Sequence, residues 1–417
     1  MRASTKRYTL AVAVVVAAFG SISGEIAARA ISANIQGRHM PFGTVLDPIF
    51  ASSASQSIVG YTRCGDSAIW TGHYLAAESF RYKVTSDPDA LANARRALAG
   101  LKSLVDVTGT DLLARCLVPM SSPFAAGITH EEAANGIHNS GQNFWIGNTS
   151  RDQYLGVFFG LSVAYDFVNQ PDVRASVQAL ATRMLNFLLG HAWTIVMPDG
   201  SVTTTFIIRP DEQLTILQIG KQVNSAQFAG PYQNLASAEA TLAITPVALE
   251  SQDDRSSYFK FNLDAIDFFN LIRLEKDPLL LIQYRAAYKF YRDATKDHMN
   301  PHFNMIDRAL NGPDATRDAQ TVTYLNQTLQ RPTRDVYVDL RGQYPSCVSS
   351  DQSCNPIPIP QRVPTDFLWQ RSPFQLVGGG SGTIESAGID YILPYWMARY
   401  YGVVPDGNFP GTIHKRI

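Results

Sequence analysis

Residues 150–166 read SRDQYLGVFFGLSVAYD, and residues 172–193 read DVRASVQALATRMLNFLLGHAW. The first stretch is apolar on nearly every side from Tyr154 to Ala164. The second carries an apolar stripe at helical spacing opposite a polar one. Pro171 and Asp172 lie between them, and proline at a first helical position starts a helix. The two segments therefore predict a helical hairpin, with one member buried all round and the other wet on its outer side.

The arrangement recurs along the chain. Residues 66–85 and 90–109 make an earlier pair, with Asp87-Pro88 as the joint. Residues 212–224 and 233–251 read as a third pair, and 257–277 and 278–300, joined at Asp277-Pro278, as a fourth. Residues 300–310 and 318–329 hold a fifth, and 388–402 a last helix kinked or started at Pro394. Between the pairs, 112–149 reads as loop and short turns with some strand character, 197–206 as a hairpin turning at Asp199-Gly200, and 345–373 as a Pro-rich loop. Pair lengths vary and the connections are long, which argues against a regular solenoid. The expected fold is all-α, an (α/α)6 toroid of helical hairpins with long loops and minor β insertions.

The N-terminus carries its own signal. Arg2, Lys6 and Arg7 precede the apolar run LAVAVVVAAFG at 10–20, and Ala28-Arg29-Ala30 offers a small-x-small cleavage site. Residues 1–30 are expected to be a signal peptide, 31–63 an extended lead-in, and 64–417 a single helical domain. Secretion or export to a periplasm follows, with an N-terminal membrane anchor as the alternative. The four cysteines then suggest two disulfides, Cys347–Cys354 across a short loop and Cys64–Cys116.

The 417 residues are only 17% charged and 11% aromatic, with a formal net charge of −1 and no long Lys/Arg run. Nucleic acid is excluded as a partner on that balance. Beyond the leader no membrane contact is expected, and the chain is read as a monomer. No CxxC occurs, and Pro301 interrupts the His298/His302 spacing, so neither metal nor other cofactor is expected. No GxSxG elbow is present, which disfavours serine-hydrolase chemistry.

The stretches GDSAIWTG (65–72), SRDQYLGVFFG (150–160) and IDYILPYWMARYYG (389–402) resemble the six-hairpin, (α/α)6-toroid superfamily. The likeness spans about residues 60–402 and is one of architecture and residue style. It implies a protein that acts on an oligo- or polysaccharide, with carboxylates around one end of the ring and aromatics as sugar platforms.

Asp66 and Asp152 each open an all-round apolar helix, so both are expected at one end as a carboxylate pair, the requirement of glycosidic hydrolysis. Each could instead be only a helix cap: Ser150 with Gln153 fits a capping box. Arg151 is expected either to orient Asp152 or to hold a substrate carboxylate. Trp70 and His73 share a helical face and could form a sugar platform or simply core. Glu78 either pairs with a nearby arginine or points into the cavity. His138, Asn143 and Trp145 could line a polar subsite, while Trp369 and Arg371 precede the glycine run 378–380, read as a mobile flap, with Glu385 after it as a solvated acid. The foremost reading is a secreted glycoside hydrolase. The alternatives are a polysaccharide lyase using Arg151, Asn143, His138 and Tyr154, or a non-catalytic module that binds glycan or protein.

Overall fold

The computed structural model describes residues 24–253, 255, 257–349, 354–364 and 371–405. The protein is mostly helical with small antiparallel sheets, rather than purely α. The chain opens on a helix, α1, at 24–34, which passes into a π-helical turn at Ile35–His39. Strands β1 (Asp47–Phe50) and β2 (Ile58–Thr62) follow, then α2 (Ser67–Thr85) and α3 (Pro88–Asp106). A small sheet is built from β3 (Cys116–Pro119), β4 (Ile137–Ser140) and β5 (Asn143–Ile146) in the order β3-β5-β4, with α4 (Ala125–Glu131) between β3 and β4. Next come α5 (Arg151–Phe167), α6 (Pro171–Gly190) and the hairpin β6 (Thr194–Val196) and β7 (Val202–Thr205). Then follow α7 (Pro210–Val223), α8 (Ser225–Glu239), α9 (Ile244–Glu250), α10 (Phe259–Leu274), α11 (Pro278–Thr295), α12 (Pro301–Asn311) and α13 (Ala315–Thr328). The chain ends through β8 (Arg334–Asp339), α14 (Pro345–Ser349), β9 (Val377–Glu385) and α15 (Ile389–Tyr400).

The all-round apolar helices are the central ones. Helix α2 packs on α5, α5 on α7, α7 on α10, α10 on α12, α12 on α15, and α15 on α2. They run the same way. Gln153 at the start of α5 bonds the Ile69 amide at the start of α2, while at the far ends Phe80 stacks edge-on against Phe167 and Tyr400. Arg273 at the end of α10 reaches Ser162 and Asp166 near the end of α5, and Arg308 of α12 bonds the Tyr401 carbonyl. The amphipathic helices α3, α6, α8, α11 and α13 each back onto the helix that precedes them. Helices α3 and α11 start at Pro88 and Pro278, as the Asp-Pro joints predict, and Asp87 and Asp277 cap them.

Four expectations change. Residues 24–39 are helical, where the stretch from 31 onward is expected to be extended. The predicted helix 233–251 is two helices, broken at 240–243, and α8 starts earlier, at Ser225. The glycine run is not a flap: it lies in β9, where Gly378 and Gly380 pair with Val338 and Val336 of β8, while β1 joins the same strand further on, at Ile384. Glu385, at its end, is buried and accepts from Asn34 Nδ2 at 2.8 Å.

Both disulfides, Cys64–Cys116 and Cys347–Cys354, are formed, which suits an oxidising compartment. Cys64–Cys116 fastens β3 to the turn that launches α2. Among the described residues no helix is long and apolar enough to cross a membrane.

Candidate functional site

Helices α2 and α5 touch backbone to backbone because glycines face each other. A Cβ on Gly72 would fall inside the carbonyl of Gly156, one on Gly160 inside the carbonyl of Gly72, and one on Gly156 would sit 2.9 Å from Ile69 Cα. No other residue permits that approach. The consequence is felt at the N-terminal ends, where the two helices share one side chain.

That side chain is Gln153, fully buried. Its Oε1 accepts from the Ile69 amide at 3.0 Å. Its Nε2 donates to Asp66 Oδ1 at 3.2 Å and to Asp152 Oδ2 at 3.3 Å. The nearest oxygens of the two carboxylates therefore lie no more than about 6.5 Å apart. Both acids are half-buried, and both sit where helix N-termini stabilise negative charge. The other oxygen of Asp152 accepts from Ser150 Oγ. Behind it, Arg115 donates to Ser150 Oγ at 2.8 Å and holds the Asn148 and Gly65 carbonyls.

The capping box is thus overturned. Ser150 occupies the N-cap of α5 without bonding a first-turn amide, because its hydroxyl is engaged by Arg115 and Asp152. Gln153 reaches across to α2 instead of back to its own cap. Asp66 likewise holds the N-cap position of α2 without a side-chain capping bond.

Trp70 and His73 lie on the next turns of α2 and are buried. His73 Nδ1 is 2.9 Å from the Ile69 carbonyl, and Nε2 faces the Asn262 amide at 3.2 Å. Its ring centroid is 5.2 Å from Trp70, 5.4 Å from Phe159 and 6.2 Å from His302. Burial pushes His73 down to about 4 and His302 well below the usual imidazole range. With His73 neutral, Nδ1–H donates to Ile69 and Nε2 accepts from Asn262, so these histidines are interior polar groups rather than proton carriers at neutral pH.

The other candidates divide. Glu78 is buried more than two turns below Trp70, paired with Arg81 at 3.1 Å and with Asn93 at 3.3 Å. It does not join the Asp66–Asp152 pair. Tyr154 is also buried, its hydroxyl oxygen accepting from the Leu113 amide at 3.1 Å. His138 stacks on Trp145 at 4.1 Å across the β4–β5 pair, with Asn143 half-buried at the start of β5. Arg371 is exposed, and Trp369 lies outside the described residues. Arg151 turns away from Asp152: its Nε is 3.0 Å from Glu212 Oε2, and it donates to the Thr205 carbonyl at 3.3 Å.

Arg151 leads to a cluster that sequence reasoning missed. Arg209, at the N-cap of α7, donates to both oxygens of Asp211 at 3.1 and 2.7 Å and to Glu250 at 2.6 Å, and it lies 3.4 Å from Glu212 and from Asp264. Asp211, Glu212 and Asp264 are fully buried, and Asp267 nearly so. Burial pushes Glu212 up to about 7, against the pull of Arg209 and Arg151, and holds Asp264 and Asp267 well above the usual carboxylate range. A signal was present. RPDEQ (209–213) repeats the polar head of SRDQ (150–153) before another apolar helix. A cavity of about 670 Å³ opens over Arg151, Arg209 and Glu250, rimmed by Ile207, Ile208, Leu242 and Leu249.

This cluster sets a pH dependence. A carboxyl whose folded pKa is raised stabilises the fold below its unfolded pKa and loses that contribution as pH rises through the folded value. For Glu212 the loss runs from about 4.5 to beyond 7. The melting temperature is expected to fall between pH 6 and pH 8.5, and Glu212→Gln to flatten that slope. Calorimetry across the range checks it, and an unchanged slope in the variant assigns the dependence elsewhere.

Among the described residues no group of His, Cys, Asp and Glu is arranged to hold a metal ion. No family model matches the chain, and no curated protein matches it.

Proposed function

We propose that the protein is an exported glycoside hydrolase built on a six-hairpin toroid, with Asp66 and Asp152 as its carboxylate pair. The observation that carries this reading is the shared Gln153 amide, which holds the two acids side by side at the common end of two parallel helices. The succession of helix contacts from α2 round to α15 and back to α2, with α1 and the amphipathic helices outside, supports the toroid. Export rests on the N-terminal segment and the two disulfides. The partner is an oligo- or polysaccharide and the working unit a monomer.

The short separation favours retention of anomeric configuration, which needs carboxyl groups about 5–5.5 Å apart. Asp152, held by the Ser150 hydroxyl with Arg115 behind it, is positioned to attack the anomeric carbon. Asp66 then protonates the departing glycosidic oxygen. Water, deprotonated by Asp66, cleaves the glycosyl–Asp152 ester in the second step. A lyase is less well supported, because the Tyr154 hydroxyl is engaged by Leu113 and Arg151 by Glu212.

The test is a reducing-sugar screen over a glycan panel with wild type, Asp66→Asn and Asp152→Asn. Each substitution is expected to lower turnover by about 10²–10⁴-fold with the melting temperature kept, and NMR of the first-formed product is expected to show the substrate's anomer. Turnover unchanged in both variants overturns the assignment. An unsaturated product absorbing in the ultraviolet would move the protein to the lyases.

A further inference from the structure

The small-x-small site at Ala28-Arg29-Ala30 lies inside a helix that belongs to the fold. Helix α1 runs antiparallel to α15 along its whole length. Glu25 pairs with Arg399 near the end of α15, and Ile31 packs against Gly388 and Asn34 bonds Glu385 at its beginning. Ala28 and Ser32 are fully buried. Arg29 is salt-bridged to Glu25 at 2.9 Å and to Asp87, the residue that caps α3. Gly24 is itself fitted: its carbonyl accepts from the Tyr391 hydroxyl at 3.2 Å, and a Cβ there would come within 2.9 Å of the Tyr395 ring. Cutting after Ala30 would remove the Glu25–Arg399 and Arg29–Asp87 pairs and uncover Tyr391 and Tyr395.

We propose that the leader is removed at the Ser23–Gly24 peptide bond, and that residues 24–39 remain in the mature protein as a structural helix. Ser21-Ile22-Ser23 supplies the small-x-small pattern, and it directly follows the apolar run at 10–20, where a cleavage region belongs. Hydrolysis adds one water across that bond, leaving the carboxylate of Ser23 on the leader and the α-amino group of Gly24 on the protein. That amino group emerges beside the C-terminal half of α15, at the end of the molecule opposite Asp66 and Asp152. The inference stands independently of the glycosidase reading.

The full-length chain, expressed with its leader in an exporting host, is analysed by intact mass and N-terminal sequencing beside two variants. Ser23→Tyr places a bulky group at the proposed bond and is expected to accumulate precursor. Ala30→Tyr does the same at the alternative bond, on an exposed position of α1, and is expected to be processed as wild type. Wild type is expected to begin at Gly24. A folded mature protein beginning at Ile31, or precursor accumulation by Ala30→Tyr alone, overturns the proposal, as does an exported wild-type protein that keeps Met1.

Discussion

Gly72→Ala is expected to destabilise the protein by about 3 kcal/mol or more, although alanine is the better helix former by roughly 0.5–1 kcal/mol. The added methyl has nowhere to go: it meets the backbone carbonyl of Gly156, and a backbone cannot swing aside as a side chain can. The two helices must separate, and the close packing on either side opens with them. The site is affected as well as the fold. Gln153 spans from the Ile69 amide to both carboxylates with bonds of 3.0 to 3.3 Å, and a shift of one ångström breaks at least one of them. Chemical denaturation gives the stability change. If the proposed chemistry holds, any folded Gly72→Ala protein loses turnover as well. A melting temperature within a degree or two of wild type would mean that the helices can part without loss, and that glycine at 72 is incidental.

Arg209→Met is expected to cost about 3–5 kcal/mol at neutral pH, the range seen when one partner of a buried ion pair is removed. Arg209 is the central cation for Asp211, Glu212, Asp264 and Glu250, so its loss leaves several carboxyls to share a site with only Arg151, on Glu212, to compensate them. Glu212 and Asp264, already raised by burial, respond by holding protons more tightly. The sign follows: the variant suffers least near pH 5 and most near pH 8.5, so its stability falls more steeply with pH than that of wild type. Adding Asp211→Asn removes one buried charge and is expected to recover part of the loss. Denaturation curves at the two pH values, for the single and double variants, measure both effects. A penalty that is small and independent of pH would show that the carboxyls are already neutral in the wild type and need no cation.

The same physics explains which features are legible in the sequence. The hairpins are legible because a helix buried on all sides and a helix with one wet face differ in composition residue by residue, and Asp-Pro joints mark their starts locally. The disulfides are legible because four cysteines allow only three pairings, and Cys347 and Cys354 lie close together in one loop. The proximity of Asp66 and Asp152 follows from their matching places at the heads of two apolar helices. Their contact does not, because it is made by Gln153, whose side chain is indistinguishable in sequence from half of a capping box. Arg151 and Glu78 are ambiguous for a similar reason: each has a sequence neighbour of opposite charge, but only tertiary packing decides that Arg151 serves Glu212 from another helix while Glu78 keeps Arg81.

Sequence by itself determined the helical character, the order of buried and outer helices, the proline starts of α3 and α11 and the two disulfide pairs, since each depends on local periodicity or on a short inventory of groups. Tertiary structure alone decided that residues 24–39 are part of the fold, that the glycine run is a strand paired with β8, and that the buried acids Asp211, Glu212 and Asp264 gather around Arg209. Those outcomes depend on partners more than 40 residues away, Glu385 for Asn34 and Glu250 for Arg209 among them, and no local pattern encodes a contact whose energy arises only when distant segments exclude water together.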